Sequence, residues 1–439
     1  MKNDGGMVFG GLVPMAAERA RWVGRSKLLA TAAVVALAAT ACSSSHSLGS
    51  TASAGATVKD GSGKGGSTSA TPTTPPVKDP ALHLKDKTKV SYRKAVKITV
   101  TDGTLVSMQV STKTGGTELD GNVSESSSSW SSEAAPKPNT SFKAVANLKD
   151  SAGKTHSETL SFKSAAVSSA NKVSFGVTPN GGTTVGIGQP IRVQFYSPVT
   201  QRAAIEKVMT VSATTPSGKS VVGSWHWLNS QQIDWRPKNF WTPGTKVSLD
   251  MKIAGVKAAA NRYGRQDYSQ TFKIGSSHIT RVDARTDRLK VYRDGKLVNT
   301  WLTGTGKRGL ETYSGIYTVL GKSAVVKMDS CSARVTCDKK DPDYYDENEY
   351  WATRLTSSGT FVHAAGWDGM LGRANTSHGC IHLADAKAKD FYNHAVMGDV
   401  VIVTNTGRGP QDRINTQDPG LYDWNLSWKT WKAGSALKS

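Results

Sequence analysis

Cysteine is scarce in this chain of 439 residues, with only Cys42, Cys331, Cys337 and Cys380. None of the four makes a CxxC pair and the histidines lack metal-type spacing, so no zinc site and no resident metal is expected. Acidic side chains are also few, 34 Asp and Glu against 55 Lys and Arg, which leaves a formal charge of +21 and favours an anionic partner. A membrane-length apolar run is missing, because Leu28 to Ala41 is too short to span comfortably as a permanent anchor. Nucleotide-loop chemistry is missing as well. Thr303-Gly304-Thr305-Gly306 is followed by neither a helical pattern nor a Lys-Ser pair, and no cofactor is expected.

What stands at the start of the chain gives it an address. Arg19, Arg21, Arg25 and Lys27 precede the apolar run, and residues 1–42 read as a secretory signal ending at Cys42. Ala39, Thr40 and Ala41 resemble a bacterial lipobox, with Ala39 where Leu or Val is usual, so Cys42 is the expected lipidation site. Ordinary signal cleavage or an uncleaved anchor is the alternative, and Met15 is a second possible start. An exported chain does not meet nucleic acid, the default partner for a basic cytosolic protein. Residues 43–80 are Ser, Thr, Gly, Ala and Pro with scattered Lys, a composition that cannot bury enough surface to order itself, and they read as a tether. Setting Cys42 aside leaves an odd number of cysteines in an oxidising compartment. Cys331 and Cys337 are close enough to pair, which leaves Cys380 reduced.

The remainder is mostly β in pattern. In 81–171, short alternating runs separated by turn signals suggest an immunoglobulin-like β-sandwich without a bridging disulfide; Phe142, Ala144, Ala146 and Leu148 share one face. A second β-sandwich is expected over 172–275, with Ile191, Val193 and Phe195 alternating and one short helix between Thr200 and Lys207. Its Trp225, Trp227, Trp235 and Trp241 either stack on glycans or fill the core, and the core is the better reading. A third unit, 276–406, contains a hairpin turning at Asp294-Gly295 and one helix from Asp385 to Met397, stopped by Gly398. The tail, 407–439, carries Trp424, Trp428 and Trp431, expected to pack back on the body.

Chemistry concentrates in Thr376-Ser377-His378-Gly379-Cys380-Ile381-His382. A thiolate nucleophile needs a proton acceptor and donors facing the developing oxyanion. Gly379 permits a tight turn open to a carbonyl. His363, His378 and His382 all compete to be the base, and spacing does not choose among them.

These residues resemble the bacterial L,D-transpeptidases of mycobacterial type, whose signature is an upstream histidine followed by Ser/Thr-His-Gly-Cys, here His363 and Ser377-His378-Gly379-Cys380. Met328-Asp329-Ser330, Tyr345, Trp351-Ala352-Thr353 and Ser358 to His363 are similar to that family's flap and adjoining strand. Val199 to Ala204 and Asp234 to Pro237 are similar in the second unit. The resemblance implies two immunoglobulin-like domains before a β-rich catalytic domain. It implies Cys380 as nucleophile, His363 as base and the backbone carbonyl of Ala364 as third member. The N–H groups of Gly379 and Cys380, helped by Tyr345, would hold the oxyanion. Ser377 reads as a hydrogen-bonding brace, and His378 and His382 as groups that orient the turn. Met328, Tyr345 (with Tyr344 as substitute), Trp351 and His382 are the expected substrate contacts. Arg373 and Asn375 either touch the substrate carboxylate or solvate a loop. His382 departs from the Asn or Arg usual two places after the cysteine, which bears on substrate positioning.

The implied activity joins donor and acceptor peptidoglycan stem peptides through a Cys380 thioester, with release of terminal D-alanine. An L,D-carboxypeptidase and a non-catalytic wall-binding lipoprotein are the alternatives. Carbapenems are the implied inhibitors, the membrane is met through the lipid anchor, the protein faces the cell wall, and it is expected to be a monomer.

Overall fold

The computed structural model describes residues 76–86, 89–410 and 418–437. The expected signal, Cys42, most of the tether and residues 411–417 of the tail lie outside the described residues. Among the described residues no helix is long and apolar enough to cross a membrane.

The chain is mostly β, as its patterning indicates. Two four-stranded sheets face each other in the first layer pair: Ala81–Leu84, Lys97–Thr101, Ser129–Ser132 and Gly121–Val123 against Lys89–Val90, Thr155–Ser164, Ser141–Asp150 and Gly103–Thr112. Strict alternation along Ser141–Asp150 turns Phe142, Ala144, Ala146 and Leu148 inward, where they meet Ile98 and Trp130. The next pair of sheets is built around Ile191–Phe195, Gln232–Pro237 and Gly223–Trp227 on one side and Lys246–Met251 and Tyr268–Ile274 on the other. Trp225, Trp227, Trp235 and Trp241 are all buried in this core, with Trp235 and Trp241 stacked at 5.3 Å, so packing rather than glycan stacking uses them. A one-and-a-half-turn helix, Arg202–Glu206, lies where a short helix is expected.

A five-stranded sheet follows, in the order Lys296–Leu302, Arg288–Arg293, His278–Asp283, Val400–Thr404 and Gly315–Thr318. Asp294 and Gly295 take φ of 46° and 80°, the two left-handed conformations that a tight two-residue hairpin turn requires. A four-stranded sheet, Gly321–Asp329, Asp346–Arg354, Phe361–Ala364 and Ile381–Leu383, packs on it through Tyr317, Val362, Ile381, Leu383 and Val401. The helix Asp385–His394 covers one face and ends earlier than its periodicity suggests. Ala395 turns extended into the core, and Lys322 Nζ takes up the freed carbonyls of Tyr392 and Ala395. Gly398, with φ of 86°, serves the turn into Val400–Thr404 instead of stopping the helix.

The second sandwich meets the five-stranded sheet backbone to backbone. Gly186 N–H donates to Met397 O at 2.7 Å and Gly188 N–H to Gly398 O at 2.8 Å. A Cβ on Gly186 would fall 2.3 Å from the Asp399 nitrogen, so only glycine permits that approach. Two short helices, Pro419–Asn425 and Trp428–Ala433, close over the same junction. The Arg236 guanidinium lies over the rings of Trp424, Trp428 and Trp431 at 4.7, 5.4 and 4.5 Å. Burial pulls the Arg236 pKa down to about 10. Beside it Arg192 bridges the buried carboxylates Asp234 and Asp423; burial and the charge of Asp234 push the Asp423 carboxyl well above its usual range.

Candidate active site

Register places the site. Phe361–Ala364 and Ile381–Leu383 pair in parallel with His363 opposite His382, so Cys380 stands at the mouth of the second strand beside the imidazole of the first. The loop from Thr376 to Gly379 crosses the end of these strands. It is pinned by Ser377, whose N–H donates to Thr305 O at 3.1 Å and whose carbonyl accepts from Lys307 N–H at 2.8 Å. Ser377 Oγ donates to Cys380 O at 2.6 Å and accepts the Gly379 N–H at 3.1 Å, which leaves this buried hydroxyl as an internal brace. Gly379 has φ of 124°, a conformation side chains rarely adopt, and its carbonyl accepts from Thr312 Oγ1 at 2.9 Å. Because its N–H is already bonded to Ser377, Gly379 is not a free oxyanion donor as expected from the sequence.

Cys331 and Cys337 form a disulfide, and Cys380 is the free, half-buried thiol. Its Sγ lies 3.6 Å from Gly359 O. His363 is almost fully buried and lies close enough to the sulfur for the two to shift each other's charge. Its Nδ1 faces two acceptors, Ala364 O at 2.9 Å and Glu349 Oε2 at 3.1 Å, so the hydrogen it carries lies on that nitrogen and Nε2 is left for the thiol. Burial pulls the imidazole pKa down, but the hydrogen bonds to Cys380 and Glu349 outweigh it and bring it up to about 10. Glu349 was not expected from the sequence. Its one signal is Glu347-x-Glu349, two carboxylates on a strand beside a histidine, and nothing in that spacing reveals which of them is buried.

His382 behaves in the opposite way. Burial and the charge of His363 push it down to about 4, while Asp368 Oδ2, 2.8 Å from its Nδ1, only partly offsets them. His378 turns away toward Asp343 at 3.2 Å and stacks on Tyr345 with ring centroids 4.9 Å apart. Geometry therefore sets only one of the three histidines against the sulfur.

A cavity of about 270 Å³ opens over Cys380, with Met328, Tyr345, Trp367, His378 and His382 in its walls. Burial first, then the charge of Cys380, push the Tyr345 phenol up to about 12, so it stays a hydrogen-bond donor at any working pH. Residues 333–335, inside the disulfide loop, form another wall, and Arg334 and Arg408 supply positive charge opposite Glu311 and Glu347. Trp367, exposed by 67 %, is a rim residue that the sequence did not single out.

Three expected substrate contacts lie elsewhere. Asn375 Oδ1 accepts from both Thr305 N–H and Thr305 Oγ1 at 2.7 Å, and its Nδ2 donates to Ala284 O at 2.8 Å, so the amide ties two backbone segments inside the fold. Arg373 is not part of the cavity wall. Trp351 packs its ring on Tyr392 and under Lys389, on the helix side of the sheet. Among the described residues no cluster of His, Cys, Asp and Glu is arranged to hold a metal.

Comparison with known proteins agrees with this architecture. Residues 87–257 match a bacterial Ig domain and residues 277–403 match an L,D-transpeptidase catalytic domain. L,D-transpeptidase 2 of Mycobacterium tuberculosis is 36% identical over 261 residues, 59% of this chain and 62% of the relative, so the chain spans under two thirds of that relative's length. Probable L,D-transpeptidase 3 of the same organism is 33% identical over 239 residues, 52% of this chain and 84% of the relative. A crystal structure of L,D-transpeptidase 3 from Mycobacterium tuberculosis with a faropenem-derived adduct aligns with TM-score 0.44 and 31% identity, over 53% of this chain and 98% of that one. With the catalytic-domain match covering the strands that carry His363 and Cys380, and most of a relative's length matched at one residue in three, the chain belongs to the L,D-transpeptidase family.

Proposed function

We propose that this protein is a cysteine-dependent peptidoglycan L,D-transpeptidase acting outside the cytoplasmic membrane. The observation that carries the reading is one free thiol in the wall of an open cavity, sharing that cavity with a buried imidazole whose Nδ1 is held by Ala364 O. The Cys380 sulfur attacks the carbonyl of the third residue of a tetrapeptide donor stem. Protonated His363 gives its proton to the departing amine of D-alanine, and a thioester remains. The Cys380 N–H and the Tyr345 hydroxyl face the developing oxyanion, since the Gly379 N–H is already taken. An acceptor-stem amine then attacks the thioester, His363 recovers the proton, and a cross-link and free thiol result.

A disulfide beside a free thiol suits an oxidising compartment, and the N-terminal signal with Cys42 supports a lipid-anchored protein facing the cell wall. An excess of basic residues suits a carboxylate-rich polymer. Incubating wild type and Cys380→Ala with disaccharide tetrapeptide and reading products by mass spectrometry tests the proposal. A dimer lacking one D-alanine, formed by wild type alone, supports transfer; a trimmed monomer points to an L,D-carboxypeptidase; unchanged substrate points to a wall-binding lipoprotein. Carbapenems are expected to acylate Cys380, read as an adduct on intact mass that Cys380→Ala lacks.

A further inference from the structure

We propose that Glu349 is the positioning residue that orients and charges His363, so that this chain works through a Cys380–His363–Glu349 relay and not through the Ala364 carbonyl alone. The inference rests on Cys380 being the nucleophile. Both partners are buried, with side-chain exposures of 4 % for His363 and 11 % for Glu349, and 3.1 Å separates Nδ1 from Oε2. A backbone carbonyl already satisfies the Nδ1 hydrogen at 2.9 Å. Adding a carboxylate to the same nitrogen supplies a full charge where little solvent screens it, and such a charge persists away from water only when paired. Among the described residues His363 is the only ion-pair partner of Glu349.

The backbone is shaped to put it there. Along Asp346–Arg354 the in-and-out alternation breaks at Trp351: Glu349 is buried, Tyr350 is exposed by 53 %, and Ala352 and Thr353 are both buried. Trp351 takes φ of 51°, a left-handed conformation costly for a bulky side chain, and its ring is clamped by Tyr392 and Lys389. The break is what turns Glu349, and not Tyr350, toward the imidazole. The titratable groups around His363 are Cys380 and His382 from the adjoining turn and strand, Asp368 behind His382, Tyr345 across the cavity, and Glu347 at its wall. Of the carboxylates among the described residues, only Glu349 lies within ion-pairing distance of the ring. The proton moves between His363, the leaving amine and the incoming amine.

The test uses the full chain with Glu349→Gln, Glu349→Asp and, as a control on the same strand, Asp346→Asn, whose exposed carboxylate pairs with Lys327 outside the cavity. Alkylation of Cys380 by iodoacetamide reports the thiolate–imidazolium pair without any peptidoglycan substrate. Glu349→Gln is expected to move the upper inflection of the alkylation profile, where the imidazolium beside the thiolate loses its proton, down by about one unit from about 10, a tenfold change in that equilibrium. Its kcat falls with KM unchanged, Glu349→Asp recovers part of the loss, and Asp346→Asn matches wild type. Coincident upper inflections for Glu349→Gln and wild type overturn the proposal. Should Glu349→Gln not fold, ¹⁵N NMR of the wild-type His363 ring decides: protonation of both nitrogens near pH 8 is expected, and a neutral ring overturns it. Absence of cross-linked product from wild type would instead overturn the transpeptidase reading, which the alkylation profile does not touch.

Discussion

His363 and His382 stand opposite each other on paired parallel strands, rings edge to face with centroids 4.9 Å apart, and one is held charged while the other is held neutral. Two imidazolium rings at that distance repel, so the pocket supports one positive charge. The Cys380 sulfur and Glu349 draw it to His363, which rises to about 10, while burial and that charge hold His382 at about 4. His382 is therefore a neutral ring donating Nδ1–H to Asp368.

That neutral state sets the acid limb of stability. Because the fold lowers the His382 pKa from 6.5 to about 4, its contribution is fully present above 6.5 and is lost as pH falls toward 4. Integrated over that window the loss is about 3 kcal/mol. Urea midpoints measured from pH 7 to pH 4 should fall more steeply for wild type than for His382→Asn. Parallel slopes would show that the ring is not held neutral.

Tyr345 offers a second measurement. Its phenol is held protonated, with a pKa of about 12, and lines the cavity over Cys380. Tyr345→Phe is expected to lower kcat by about a hundredfold to a thousandfold with KM changed little, as for loss of one oxyanion donor. A change confined to KM would make Tyr345 a binding contact only.

Asn375 separates structural from substrate roles. Since its amide ties Thr305 to Ala284, Asn375→Ala leaves buried backbone groups unpaired and should cost about 1–3 kcal/mol in chemical denaturation. Its KM for tetrapeptide should stay at the wild-type value. A raised KM at unchanged stability would return Asn375 to the substrate.

Trp431 tests the C-terminal closure. It is fully buried, stacks on His226 at 4.7 Å, and donates from Nε1 to Ser224 O at 2.9 Å. Trp431→Ala should lose about 3–5 kcal/mol, the usual cost of deleting a large core aromatic. Limited proteolysis should then cut the tail while Cys380 alkylation proceeds at the wild-type rate.

Much of the fold is legible in the residue order. Period-two runs mark the inward faces, as at Phe142 to Leu148, because a strand with one face on a core has no other way to bury it. The Asp294-Gly295 pair marks its hairpin because few residues accept two positive φ angles in succession. The helix after Asp385 is legible in kind but not in length, since Lys322, from another strand, takes over its last carbonyls. Trp351 and Asn375 sit close in sequence to the chemistry, and their side chains nevertheless leave the cavity. A left-handed residue turns one away, and a competing pair of backbone partners engages the other.

By itself the order of residues determined the β architecture, the place of the thiol and the cluster of histidines around it, because these follow from local periodicity, turn chemistry and neighbours along the chain. Which imidazole meets the sulfur, and that Glu349 stands behind it while Asp368 stands behind the other, was decided only by tertiary structure. Strand register and one break in alternation bring together groups separated along the chain, and burial then fixes where the single positive charge resides.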